Sequence, residues 1–368
     1  MKTPIFDLPP LTGPLQAEAL LAWLRTSDPE ALEHLWVRAD ELRRLGVGDD
    51  VHLRGLVEIS NRCARQCAYC GLRAANRSVS RYAMSDEEIL ECAHRIRQYG
   101  WGTAVLQSGE DPAFTSSRVE ALVRRIKVET GLAITLSLGE RTEDELRAWK
   151  RAGADRYLLR FETSDRVLFE RIHPPLPGRE CDRLGLLGIL RDIGYEVGSG
   201  VMVGIPGQGF ASLARDLELF AELELDMIGL GPFIPHPDTP LGTSTPPLPP
   251  DQVPATVDMA FRVLALARVQ RPEANLPATT ALATLDREQG RVLGLQRGAN
   301  VVMPNVTPRC HRECYSIYPN KAGSNETAEQ TRLEIDGQLA SIGRSVAAGP
   351  GHSPAFRRRI REQEGAPS

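Results

Sequence analysis

The stretch Leu53-Arg-Gly-Leu-Val-Glu-Ile59, followed by Ser60-Asn-Arg-Cys63-Ala-Arg-Gln-Cys67-Ala-Tyr-Cys70-Gly71, sets a short apolar run against a polar loop that holds three cysteines. The run reads as a buried strand, because its length and branched side chains suit a pleated sheet. The loop reads as metal or redox chemistry. The chain has seven cysteines, an odd number, and three of them crowd into this loop, a poor pattern for disulfides in a reducing compartment. Thiolates are the usual ligands of iron–sulfur clusters, and three of them leave one iron of a cubane open to a bound molecule. A tetrahedral zinc site is the alternative. It needs a fourth ligand, for which Cys92, Cys181, His94 and His173 are available.

Outward from this stretch the strand-then-helix pattern repeats. Further strands are expected at Thr103–Gln107, Ala133–Leu138, Arg156–Glu162, Val197–Val203, Met227–Ile234, Leu276–Ala281 and Asn300–Met303. Helical patterns fall between them, as at Ser85–Tyr99, Arg118–Glu129 and Phe210–Leu223. Ser85 followed by Asp86, Glu87 and Glu88 suits a capping box, and Gly131 and Gly153 stand where helix ends need a left-handed residue. Strands alternating with helices imply a parallel sheet of the α/β class, and this number of strands closes a (β/α)8 TIM barrel. An open doubly wound sheet is the alternative. The expected organisation is an N-terminal helical extension over 1–50, the barrel over 51–323, and a partly mobile C-terminal extension over 324–368.

Composition narrows the function classes. A net charge of −4 over 368 residues gives no basic footprint for nucleic acid. No apolar run reaches the roughly 18 residues of a membrane span, and the first residues lack the apolar core of a signal peptide. The cytoplasm is the expected compartment, with neither nucleic acid nor membrane as a partner.

The C-x3-C-x2-C spacing, with Tyr69 before the last cysteine and a strand ahead of it, resembles the radical S-adenosylmethionine (SAM) superfamily. That resemblance implies a [4Fe–4S] cluster on Cys63, Cys67 and Cys70. SAM chelates the open iron, and one electron from the cluster cleaves it to a 5′-deoxyadenosyl radical. Barrel enzymes work at the C-terminal ends of their strands. Gln107–Asp111, Ser137–Glu140, Arg160 and Glu162, Gly204–Gly207, Pro232–Asp238, Thr279 and Thr280, and Asn305–Arg309 all fall there. Arg160 and Glu162 are two apart on a strand and share a face. They read either as a structural ion pair or as a clamp on a polar cofactor, and Phe161 then points outward to the helices. Arg183 suits the carboxylate of SAM, with Gln107 and Ser137 adding neutral hydrogen bonds. Thr279 and Thr280 face opposite sides unless the strand ends there. His236, in a Pro-rich loop, is a minor candidate for a base. Cys310 and Cys314 read as ordinary thiols rather than as a second metal site.

Longer matches resemble one subfamily, HydE, the maturases of [FeFe]-hydrogenase. They are Val105-Leu-Gln-Ser-Gly-Glu-Asp-Pro112, Thr135-Leu-Ser-Leu-Gly-Glu140, Ala152-Gly-Ala-Asp-Arg-Tyr-Leu-Leu-Arg160, Met202-Val-Gly-Ile-Pro-Gly-Gln208, Gly229-Leu-Gly-Pro-Phe-Ile-Pro-His-Pro-Asp-Thr-Pro240, Pro277-Ala-Thr-Thr-Ala281 and Gly298-Ala-Asn-Val-Val-Met-Pro-Asn305. The resemblance implies Tyr69, Gln107, Ser137, Arg160, Glu162 and Arg183 around SAM, and Thr279, Thr280, Tyr315 and Tyr318 around the substrate. The two tyrosines are the catalytic candidates. The implied substrate is a small organometallic iron species with carbonyl, cyanide and cysteine ligands, received from another maturase. An electron donor is a further implied partner.

Two departures bear on this reading. HydE proteins carry His where this chain has Phe161. Lys321–Thr331 holds no cysteine, so no second cluster is expected there. Among relatives of the same barrel, biotin synthase needs cysteines on the strands for an auxiliary cluster. Thr103–Gln107, Ala133–Leu138 and Val197–Val203 have none. A methylornithine synthase-like enzyme acting on a small amino acid is the alternative function.

Overall fold

The computed structural model describes residues 8–178, 181–244 and 246–365. The first and last residues of the expected terminal extensions lie outside the described residues. Seven parallel strands form one curled sheet: β1 (His52–Ser60), β2 (Thr103–Ser108), β3 (Ala133–Ser137), β4 (Arg156–Leu158), β5 (Glu196–Val203), β6 (Met227–Pro232) and β7 (Val301–Val302). Their order is β6-β5-β4-β3-β2-β1-β7, so each crossover returns beside the strand before it, except that β7 joins the far side of β1. This is a partial TIM barrel of the α/β class.

The expected seventh strand, Leu276–Ala281, is not a regular strand. Asn275 bridges Met227 on one side and Pro277 bridges Val301 on the other, both parallel, so this stretch spans the gap between β6 and β7. Two features cut it short. Pro277 has no N–H for a ladder, and Thr279 stands as N-cap of the helix Thr280–Leu285. The expected strand Arg156–Glu162 also stops early, at Leu158. Glu162 has φ 65°, a left-handed conformation that breaks the pleat, and it rejoins the sheet only through a bridge to Val201.

Side-chain period follows the pleat. Val57, Ile59, Ala104, Leu106, Ile134 and Leu136 face outward into the apolar layer beneath the helices. Phe161 joins them, buried with its ring 6.0 Å from that of Phe220 on the helix Phe210–Glu222. The capping box of Ser85 and Glu88 forms, and Gly131 and Gly153 end their helices left-handed. The N-terminal region is two helices, Ala17–Arg25 and Pro29–Val47, broken where Asp28 caps the second and Pro29 takes its first turn. They pack on the helices Phe210–Glu222 and Val257–Gln270.

The C-terminal segment closes the barrel at the opposite end from the cysteine loop. Ala347 donates to the Val51 carbonyl, Arg54 to Gly351 and Thr103 to Pro350. Glu196, fully buried, pairs with Arg156 and accepts from the Ser353 amide at 2.8 Å, while His352 lies 2.6 Å from its other oxygen. These contacts give a physical account of a stretch that carries no recognisable pattern in the sequence.

Candidate active site at the strand C-termini

The inward-facing residues enclose a cavity of about 350 Å3. Arg54, Leu56 and Glu58 come from β1, Val105 and Gln107 from β2, and Thr135 and Ser137 from β3. Cys63, Tyr69 and Cys70 border it at the strand C-termini, with Arg160, Glu162 and Arg183. Thr279, Thr280, Tyr315 and Tyr318 line it as well. The structure therefore brings the sequence-derived candidates around one space, except Cys67, which is buried within the loop and does not border the cavity. Thr279 and Thr280 both reach the cavity because they begin a helix instead of continuing a strand.

The cysteine loop has no regular structure, yet its backbone is pinned. Ala64 donates to the Glu110 carbonyl at 2.9 Å, Ala68 to Ile172 at 2.7 Å and Gly71 to Ile317 at 3.0 Å. Arg81 gathers the loop from within, donating to the carbonyls of Asn61, Leu72, Arg73 and Asn76. Arg65, between the first two cysteines, pairs with Glu110 and Glu140, each at 2.7 Å. Burial raises the pKa of all three thiols, that of Cys70 to about 12, so positive metal charge is what would favour their thiolates. Among the described residues, only Glu140, His173 and Cys181 offer ligand atoms within 4.8 Å of one another. The loop cysteines are spread more widely, as ligands of separate irons in one cubane must be, so their donor set fits a cluster better than a single zinc ion. Cys92 lies in the core against the Val306 carbonyl, and His94 pairs with Glu129 near the surface.

Tyr69 and the β4 end meet across the cavity mouth. The Tyr69 hydroxyl lies 3.4 Å from Glu162 Oε1, and Arg160 lies 3.2 Å from Glu162 Oε2. That ion pair is misaligned as a hydrogen bond, leaving Glu162 Oε2 and Arg160 Nε without a hydrogen-bond partner. Thr135 Oγ1, Thr279 Oγ1 and Arg54 Nε, also on the cavity, are unpartnered too. Buried polar atoms without partners are costly, so this arrangement suits a polar guest. Arg183 is buried. Burial works against its charge, but the carboxylates of Glu140 and Glu162 outweigh that and raise its pKa. Gln107 donates to the Tyr315 hydroxyl at 3.2 Å. Burial, above all, pushes up the phenols of Tyr69, Tyr315 and Tyr318, which stay neutral.

Sequence reading missed two groups. Glu58 is buried inside the barrel and pairs with Lys321 at 2.6 Å, while Asn305 donates to its other oxygen at 2.9 Å. Arg54 sits deep in the cavity two strand turns below. The available signal was charge at period two, Arg54 and Glu58 on the inward face of an otherwise apolar strand. His236 is accounted for structurally. Its Nδ1 accepts from the Asp238 amide at 3.1 Å and its ring lies against Gly71, bracing the cysteine loop. Cys310 is exposed and Cys314 half-buried on the far side of that loop, where the Cys314 carbonyl accepts from Asn61.

The family model described as "Radical SAM superfamily" matches residues 57–220. The chain is 44% identical over 304 residues to the [FeFe] hydrogenase maturase subunit HydE of Thermotoga maritima, covering 83% of this chain and 84% of that protein. It is 29% identical over 293 residues to a 3-methylornithine synthase of Methanosarcina acetivorans, covering 78% and 79% of the two chains. Among solved structures, methylornithine synthase superposes with a TM-score of 0.78 at 25% identity, over 91% of this chain and 95% of that one. The [FeFe]-hydrogenase maturase HydG of Carboxydothermus hydrogenoformans gives 0.73 at 18% identity, over 90% and 75%, and shares the fold.

Proposed function

The chain belongs to the HydE family of radical SAM enzymes, and from that premise we propose that it matures [FeFe]-hydrogenase by acting on an organometallic iron–cysteine precursor of the diiron subcluster. The observation that carries this reading is the convergence of the cysteine loop, Glu162 and Arg183 on one end of a cavity whose own polar atoms want partners. A [4Fe–4S] cluster with SAM supplies reductive cleavage to a 5′-deoxyadenosyl radical when bound. The chain's residues do the rest. Cys63, Cys67 and Cys70 hold the cluster. Arg183 takes the carboxylate of SAM, and Glu162, Tyr69, Arg160, Gln107 and Ser137 orient its polar groups. Thr279 and Thr280 offer hydroxyls to the substrate, and Tyr315 and Tyr318 lie where neutral phenols face it. The cavity walls exclude water from a reactive radical. One cluster per chain completes the reading, with a second maturase and an electron donor as partners.

The test is complementation. The chain is expected to restore hydrogenase activity in a strain lacking its own HydE, Cys67→Ser to abolish this, and Cys310→Ser to leave it intact. Failure of the unaltered chain, together with formation of 3-methylornithine by the purified enzyme, would overturn the reading in favour of the mutase relatives. Loss of activity in Cys310→Ser would restore a second metal site.

A further inference from the structure

All three guanidinium nitrogens of Arg183 are already held by the protein. Nε donates to Glu140 Oε1 at 2.9 Å, Nη1 to the Arg160 carbonyl at 2.6 Å, and Nη2 to Nε2 of His173. A guanidinium has no lone pair to offer, so His173 Nε2 is the acceptor and the imidazole proton sits on Nδ1. Nδ1 faces Cys181 Sγ at 3.8 Å, and that thiol donates to the same Glu140 oxygen at 2.9 Å. The hydrogen bonds therefore close on themselves: arginine to histidine, histidine to thiol, thiol to carboxylate, and arginine to that carboxylate. The second Glu140 oxygen takes Arg65, which lies between Cys63 and Cys67, at 2.7 Å.

We propose that Glu140, His173 and Cys181 form a positioning ring that fixes Arg183 toward the carboxylate of SAM and ties it, through Arg65, to the cysteine loop. The proposal rests on the reading of Arg183 as a SAM contact. Five N–H bonds with three committed leave one free on each Nη, a pair suited to a carboxylate. The protonation states agree with the ring. Burial first, then Arg183, hold the His173 pKa down at about 3, so it stays a neutral acceptor. Burial and Glu140 push Cys181 up to about 12, so it stays a donor. Burial opposes ionisation of Glu140, but Arg183 and its hydrogen bonds prevail and keep its pKa low. The spacing of the three side chains would also suit a cation. The guanidinium already occupies the His173 lone pair and the shared Glu140 oxygen, so the ring serves an arginine and not a metal.

SAM binding to the cluster-loaded chain, measured by anaerobic titration calorimetry, tests this. His173→Phe removes the acceptor but can keep the stack on Phe169. It is expected to weaken SAM about tenfold, the loss of one hydrogen bond to a charged group. His173→Gln, whose amide oxygen can accept in place of Nε2, is expected to recover most of that affinity. Parent-like affinity in His173→Phe, with Arg183→Gln weakened, overturns the ring and leaves Arg183 as a SAM contact. Parent-like affinity in Arg183→Gln overturns the reading beneath it. If His173→Phe fails to hold its cluster, Cys181→Ala against Cys181→Ser decides the matter. Serine keeps the donor, alanine is expected to weaken SAM about fivefold, and equal affinities overturn the ring.

Discussion

Gly109 lies where the loop after β2 passes beneath the first cysteine. A Cβ there would stand 2.4 Å from the Arg62 carbonyl oxygen and 2.7 Å from Cys63 Cβ. One of these is backbone, so the contact cannot be relieved by a rotamer. Gly109→Ala is expected to displace Cys63 and lower the iron and sulfide bound per chain, with the helical content by circular dichroism little changed. Full cluster loading in the variant would contradict the packing described. The same contacts explain what could be read at this level from sequence. Three cysteines at C-x3-C-x2-C announce themselves by type and spacing. A glycine needed for a close approach, or a histidine serving a neighbour's guanidinium, announces nothing, because the contact is made by the fold and not by a local repeat. Cys181 and His173 could only be offered as spare zinc ligands, since Glu140 reaches them from far along the chain and nothing in the local pattern turns Arg183 back onto His173.

Between elements, one tie bears directly on the cavity, the buried pair of Glu58 on β1 and Lys321 in the irregular segment after β7. Lys321 donates to Glu58 at 2.6 Å and to the Tyr315 carbonyl at 2.9 Å, so it anchors the segment that carries both cavity tyrosines. Removing one partner strands the other charge in an apolar wall. Lys321→Met is expected to cost about 3–5 kcal/mol in chemical denaturation. Glu58→Gln combined with Lys321→Met is expected to recover much of that, because the amide can still accept from Asn305. A double variant no more stable than the single one would remove the charge explanation. Element order and type were legible because apolar periods alternate so regularly. Element ends were not. β4 ends at a left-handed Glu162, and the expected strand Leu276–Ala281 dissolves at Pro277 and the Thr279 cap. Those endings depend on where a non-local neighbour satisfies the backbone, which a local pattern does not record.

Taken entire, the barrel is closed at one end by its own C-terminal segment, and that closure is acid-sensitive. Burial works against ionised Glu196, but Arg156, with His352 and Arg54 behind it, holds its pKa at about 2. A carboxylate depressed in the fold contributes stability above its unfolded pKa and loses it as pH falls through the folded value. For Glu196 the window runs from pH 4.5 down to about 2 and is worth roughly 3 kcal/mol. His52, lowered to about 4 by burial and then by Arg54 and Arg156, acts in the same direction from pH 6.5 downward. Unfolding midpoints are therefore expected to drop as pH falls below 6.5, with His52 carrying the slope down to about 4 and Glu196 from 4.5 down to about 2. Glu196→Gln is expected to be less stable at pH 7 and to show a flatter acid limb. An unchanged acid limb would mean that this cluster does not carry the effect.

The cylinder also has a seam. Elsewhere, neighbouring strands pair directly in parallel ladders, from two residue pairs between β1 and β7 to six between β5 and β6. Between β6 and β7 the wall is an irregular stretch instead of a strand, with the Asn275 carbonyl accepting from Ile228, the Ala278 amide donating to Val301, and a few bonds beside them. Thermal breathing concentrates where a wall has fewest bonds to break at once. In deuterated solvent the amides of Ile228 and Ala278 should thus exchange ahead of those in the β1–β2 ladder. The barrel, if it ever parts, parts along that line, within a turn of the two threonines that face its interior.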